Sequence, residues 1–262
     1  MKNIKHYQVD AFAENLFSGN PAAVCPLNEW LPNEVMQNIA MENNLAETAF
    51  YVYEKEGLRI RWFTPIVEVD LCGHATLATA FVLFFHEKYE GDSIVFNSRS
   101  GPLTVTRVND LLTLNFPVDT LKEVNAIDKL EEGLGERPLK TFKGKTDYLL
   151  VFNDEEIIRK MNPDFKKIAQ VEARGIIVTA KGDTYDFVSR FFGPQSGGDE
   201  DPVTGSAHTS LTPYWASVLN KTEFQAAQLS SRGGKLKCKL VGDRVHISGK
   251  AKLYSSGTIH LE

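Results

Sequence analysis

Two short stretches of the chain place chemically useful residues where a helix would begin. Residues 72–74 read Cys-Gly-His and lead into the apolar segment 75–85, while residues 204–206 read Thr-Gly-Ser and lead into 207–220. The first turn of a helix leaves about four backbone N–H groups unpaired and carries the positive end of the helix dipole. A glycine there lets a ligand approach the backbone, so a carboxylate or similar anion is a natural guest. Either glycine alone reads as a tight-turn residue. The matched pair, Gly73 and Gly205, 132 residues apart, points to a shared purpose. The second stretch follows three adjacent acids, Asp199, Glu200 and Asp201, in the run GGDEDPVTGSAH at 197–208. Neighbouring carboxylates repel one another, so the run is a solvated loop, a metal site or part of a pocket. As metal ligands, the three acids and His208 match neither a zinc nor an EF-hand spacing, and Pro202 stiffens the loop, so no metal is expected. Dinucleotide and phosphate-loop fingerprints do not occur.

The elements that must position these residues follow from local pattern. Residues 6–12 alternate and read as a strand, 18–27 as a turn and a short strand, and 31–44 carry helical spacing. Residues 48–65 read as a hairpin around Gly57. A short strand then precedes the helix of 75–85, whose apolar residues lie all around the wheel and must therefore be enclosed. Three strands over 93–117 close this half. The order then restarts, with a strand at 147–153, a short helix at 155–162, strands at 173–182 and 185–193, a helix over 206–220 that contains a proline, and short strands to the end. The order resembles an internal repeat of roughly 130 residues. It implies an α+β fold of two similar domains, 1–117 and 118–262, the first completed by the C-terminal strand near 255–262. Each domain is expected to be an antiparallel β-sheet or barrel wrapped around a central α-helix, with both helix starts facing one interdomain cleft.

Composition narrows the class of function. The chain has 262 residues, 42% hydrophobic and 24% charged, with a formal net charge of -5. The acidic balance argues against nucleic acid as a partner. The N-terminus enters an alternating pattern with no apolar signal region, and the longest apolar-rich run, 75–85, is too short to span a bilayer, which takes roughly 20 residues. No membrane association is expected. Cys25, Cys72 and Cys238 are odd in number and far apart, which argues against a disulfide framework and for a cytoplasmic location.

Four motifs, GNPAAV (19–24), AETAF (46–50), LCGHAT (71–76) and RFFGPQSGGDEDPVTGSAH (190–208), occur together and in order. With them the chain resembles the PhzF-like (phenazine biosynthesis-like) isomerases, a family related to diaminopimelate epimerase and proline racemase. The resemblance implies a cofactor-independent isomerase that moves a proton on a small unsaturated or cyclic carboxylic acid, acting as a homodimer. It makes Glu47 the acid/base, which suits a carboxyl group in a partly desolvated pocket, where a raised pKa lets it both take and return a proton. His74, Asp201 and Ser206 become further catalytic candidates; Gly73, Gly205, Thr204 and Asn20 become substrate-binding candidates. At a helix start, the dipole would favour neutral His74. Ser206 could equally serve as a plain helix cap. Asp199 and Glu200 are expected to face solvent or pair with a nearby base, and His208 to face the interdomain interface. Epimerases of the superfamily use two thiols. Here the matching positions are Cys72 and Thr204, and a threonine hydroxyl is far too weak an acid to replace a cysteine of pKa ~8.5. Cys72 is then expected to be a spectator packed behind the helix start. The alternatives are an amino-acid or hydroxy-acid epimerase or racemase with Glu47 or Cys72 as one base, and a ligand-binding homologue without turnover.

Overall fold

The computed structural model describes residues 2–196 and 198–261. Gly197, where the acidic run begins, and the two terminal residues included in the expected domain spans lie outside the described residues. The fold is α+β, mostly strand, and divides into two compact units: 1–115 with 248–262, and 116–247.

The N-terminal unit contains β1 (Lys2–Ala11), β2 (Asn20–Leu27), α1 (Asn33–Asn43), β3 (Glu47–Glu54), β4 (Gly57–Phe63), β5 (Glu68–Val69), α2 (Gly73–Phe85), β6 (Ser93–Ser98), β7 (Gly101–Val108) and β8 (Leu111–Pro117). The chain's last strand, Ala251–Leu261, returns to pair antiparallel with β1 from Lys2↔Leu261 to Ala11↔Ala251. Every residue of α2 except Phe81 and Phe85 is buried, as expected of a helix apolar on all sides. Its Leu77, Val82 and Leu83 are fully enclosed, each worth about 1.5–3 kcal/mol of burial. A second packed cluster lies under α1, built on Met36, Ile39, Phe50 and Phe63.

The C-terminal unit repeats the order with β9 (Lys122–Val124), α3 (Asp128–Leu134), β10 (Lys140–Lys143), β11 (Asp147–Val151), α4 (Glu155–Lys160), α5 (Phe165–Ile168), β12 (Gly175–Lys181), β13 (Phe187–Gly193), β14 (Gly198–Asp201), α6 (His208–Leu219), β15 (Glu223–Gln228), β16 (Gly234–Val241) and β17 (Arg244–Gly249). Of these, β9, α3, β10, α5 and β14 have no counterpart in the sequence reading. They are only three to seven residues long, too short for a hydrophobic period to declare itself.

Two expectations need correction. The sheets are not antiparallel throughout: β2 pairs parallel with β3 and β4 with β6, as do β11 with β12 and β13 with β15. A parallel pair requires a crossover, and helices supply it in each case: α1, α2, α4 with α5, and α6. The repeated pattern of parallel and antiparallel pairings is a stronger sign of internal duplication than the sequence itself carries. The helix expected over 206–220 also begins differently. Gly205–Ala207 forms a tighter 3₁₀ turn, and the α-helix starts at His208.

Candidate active site

The N-terminal unit draws four side chains together. Helix α1 ends at Asn44, whose left-handed backbone (φ 48°) returns its N–H to Ala40 O. The chain then turns, and Glu47 opens β3, paired in register with Ala22 of β2. Asn43 Nδ2 donates to Thr48 Oγ1 at 3.0 Å and ties the helix end to the strand. The start of β2 is set by Gly19, at φ +71°; a Cβ there would stand 2.2 Å from Ala11 O, so only glycine fits the approach that delivers Asn20. Cys72, extended, precedes α2, and His74 lies in that helix's first turn.

Glu47 Oε2 lies 3.1 Å from His74 Nε2. The contact is short enough for an ion pair, yet its angle is not that of a hydrogen bond, so neither buried atom has a well-aligned partner. On the other edge of the ring, Asn20 Nδ2 is 3.1 Å and Cys72 Sγ 3.6 Å from Nδ1. An amide NH2 donating to Nδ1 leaves the neutral imidazole's proton on Nε2, facing Glu47. Turned by half a rotation, the same amide offers its carbonyl to the Nδ1–H of an imidazolium, so Asn20 suits either charge state. The His74 side chain is only 5% exposed, while that of Glu47 is 18% exposed and is the member that solvent or a ligand reaches.

The electrostatics differ from the neutral His74 expected from the helix dipole. Burial pushes the His74 pKa down, but Cys72 and the Glu47 carboxylate push it up, and the net direction is well above the usual value. Burial first, and then the Glu47 charge, raise the Cys72 thiol to about 11. Cys72 is therefore a neutral thiol near pH 7, and the upward pull on His74 at that pH comes from Glu47. Cys72 was expected to pack behind the helix start; its sulfur instead touches the imidazole. Glu47, Cys72 and His74 offer one oxygen, one sulfur and one nitrogen within 4.8 Å of one another, a set a soft cation could use. Asp199, Glu200, Asp201 and His208 form no such set: Glu200 makes a two-armed ion pair with Arg190 at 2.7 and 2.9 Å, and Asp199 is exposed.

The C-terminal unit holds the other expected residues. Gln228, nearly fully buried, stitches their loop: its Oε1 accepts from Thr204 N and its Nε2 donates to Asp201 O, both at 2.8 Å. The Thr204 hydroxyl donates to the Asp201 carboxylate. Both Thr204 donors are thus engaged by neighbours, which gives this residue a loop-shaping role. Ser206 makes no capping bond. Its Oγ accepts from Arg174 Nη1 at 3.0 Å, and Arg174 is clamped by both oxygens of Asp147. Sequence reading passed over Arg174 and Gln228, because an arginine or glutamine in a strand pattern looks like any solvated polar residue. Ala207 N–H is taken by Thr204 O, so fewer donors are available at Gly205 than at Gly73. His208 is fully buried, its Nδ1 hydrogen-bonded to Thr204 O at 3.0 Å, and burial holds its pKa down to about 4. Cys25, Cys72 and Cys238 are free and buried.

The carboxylate held against an imidazole at a helix start thus lies on an α+β fold with a duplicated strand-and-helix order. The chain belongs to the phenazine biosynthesis-like (PhzF) family, whose profile it matches over residues 9–257. It is 52% identical over 255 residues to an uncharacterized isomerase of Pseudomonas aeruginosa, covering 97% of this chain and 98% of that one. A crystal structure of a PhzF-family protein from Enterococcus faecalis superposes with a TM-score of 0.96 at 48% identity, covering 99% and 100% of the two chains. A hydroxyproline epimerase from Agrobacterium vitis shares the fold, with a TM-score of 0.64 at 9% identity, covering 98% and 92%. The chain is an isomerase of the PhzF family. Among the described residues, no helix is long and apolar enough to cross a membrane.

Proposed function

We propose that the chain moves a proton between carbons of a small unsaturated or cyclic carboxylic acid, with no cofactor and with Glu47 as the acid/base. The observation that carries this is the Glu47–His74 contact of 3.1 Å, in which a partly exposed carboxylate is steadied by a buried imidazole. As carboxylate, Glu47 removes a proton from a C–H bond of the substrate and becomes the neutral acid; partly exposed, that acid trades its proton with water, then protonates a second carbon and returns to carboxylate. His74, held by Asn20, keeps Oε2 aimed. The first-turn N–H groups at Gly73 and those at Gly205, with Asp201 and Ser206, bind substrate oxygens in this reading. Thr204 supports them by fixing the Asp201 carboxylate.

The test is solvent deuterium incorporation into a panel of small unsaturated and cyclic carboxylic acids, followed by NMR. Wild type should label one class of acid, and Glu47→Gln should lose roughly 10²–10⁴-fold in rate. Labelling by Glu47→Gln at the wild-type rate overturns the role of Glu47. A second reading, epimerisation with Cys72 as one base, is favoured by the sulfur lying 3.6 Å from His74 Nδ1. It is weakened by a thiol pushed up to about 11, which leaves little thiolate at neutral pH. Loss of optical rotation by a single-enantiomer substrate, abolished in Cys72→Ser, would establish it.

A further inference from the structure

Ser206 carries an asymmetry that the proposed function does not use. A guanidinium has only donors, so where Arg174 Nη1 meets Ser206 Oγ at 3.0 Å the hydroxyl oxygen must be the acceptor. The hydroxyl's own proton then points elsewhere, and among the described residues no acceptor receives it. It does not cap the helix start, and the other contacts of this residue are made by its backbone carbonyl, which accepts from Thr209 Oγ1 and from His208 N–H. Ser206 is thus held as a hydrogen-bond donor with an open acceptor position.

The hold on Arg174 is substantial. Asp147, at the start of β11, binds it through both carboxylate oxygens with its own side chain 5% exposed. Asp147 and Gly175 are register partners in the parallel pair β11–β12. Gly175 leaves room for Phe191 from β13, since a Cβ on Gly175 would stand 2.0 Å from Phe191 Cζ. The Arg174 guanidinium in turn lies 5.3 Å from that ring's centre. A strand register, a glycine niche and an aromatic platform together fix the arm that reaches Ser206. The arrangement is not a trap for bare anions, because Asp147 offsets the guanidinium charge and Asp119 and Asp201 lie in the same field. It suits an oxygen on which negative charge grows during reaction.

We propose that Arg174, clamped by Asp147, is a positioning residue that fixes the Ser206 hydroxyl as a donor to the substrate oxygen that gains charge as the proton leaves carbon. The inference rests on the isomerase reading given above, in which Ser206 binds substrate. Removing one such donor from an oxyanion site costs on the order of 10²–10³ in kcat.

The experiment uses the acid that wild type labels with deuterium, and compares Ser206→Ala, Arg174→Lys, Arg174→Ala and the double variant Arg174→Ala/Ser206→Ala. Lysine keeps a positive charge against buried Asp147 but, as a single point donor, cannot hold Asp147 and Ser206 together, so it reports the effect in a folded protein. Each single variant should lose roughly 10- to 1,000-fold in kcat with KM changed far less. The double variant should be no slower than Ser206→Ala. Guanidinium chloride, well below denaturing concentration, should restore Arg174→Ala and leave the double variant unrestored. Additive losses, a wild-type kcat in Arg174→Lys, or guanidinium rescue that does not need Ser206 would overturn the proposal. If Glu47→Gln is inactive while Arg174→Lys is fully active, this inference alone fails. If Glu47→Gln retains wild-type exchange, or no acid exchanges at all, the isomerase reading fails and takes this one with it.

Discussion

Glu47 and His74 are individually ordinary residues; what distinguishes them is that Glu47 Oε2 and His74 Nε2 each lack a well-aligned partner while nearly in contact with the other. Two consequences are measurable without a substrate. The His74 imidazole should titrate above its usual value in wild type, and lower than that in Glu47→Gln, where the Glu47 charge no longer offsets burial. Histidine ring signals followed by NMR against pH check this, and an unchanged midpoint in the variant would contradict it. Cys72, with its thiol at about 11, and Cys25 and Cys238, at about 12, should react slowly with iodoacetamide at pH 7.5 in the native protein and fast once unfolded in urea. At this scale the chain was only partly readable. Glu47, His74 and Ser206 stand in motifs whose resemblance names them. Arg174 and Gln228 stand in none, and their roles come from a strand register and a loop closure that no linear pattern displays.

Single elements set the precision of the site. The turn into β2 depends on Gly19, whose positive φ and 2.2 Å approach to Ala11 O admit no side chain. Gly19→Ala should therefore destabilise the protein by at least about 2 kcal/mol, read as a lower urea midpoint. In α6 the sensitive residue is His208. Its folded pKa of about 4 lies below an unfolded value near 6.5, so the unfolded chain binds the extra proton. Stability from this residue is complete above pH 6.5 and is lost as pH falls toward 4, amounting to about 2 kcal/mol at pH 5. His208→Gln keeps a donor for Thr204 O and cannot titrate, so its urea midpoint should fall less than that of wild type between pH 7.5 and pH 5. An equal fall in both would show that His208 is not the source. Elements with long apolar periods, such as α1 and α2, were visible in the sequence. The parallel pairings of β2–β3 and β11–β12 were not, because residue alternation describes one strand and is silent about the direction of its neighbour.

At the scale of the molecule, the N-terminal unit is made from both ends of the chain. Residues 2–11 are bound along their length to 251–261, and a fragment that stops at 117 lacks that partner. Such a fragment should fail to fold. A chain rearranged to run from 248 to 261, through a short glycine turn, and on from 2 to 115 should fold by itself and give a dispersed amide NMR spectrum, because Lys2 and Leu261 already sit opposite one another. An undispersed spectrum would show that the unit needs more than its missing strand. The duplication that organises the molecule was visible in sequence as a repeated order of elements, and in structure it reappears as a repeated order of pairings.

That same closing strand sets a timetable. Synthesis at about 5–20 residues per second delivers residues 251–261 roughly 10–50 seconds after β1 has left the ribosome. The stretch 116–247 is continuous and can complete its sheet as it emerges, so the later half of the gene product is the earlier to fold. The half that carries Glu47 waits, with one flank of β1 unmatched, and a nascent chain in that interval offers an open strand edge to chaperones and to its neighbours on the same messenger.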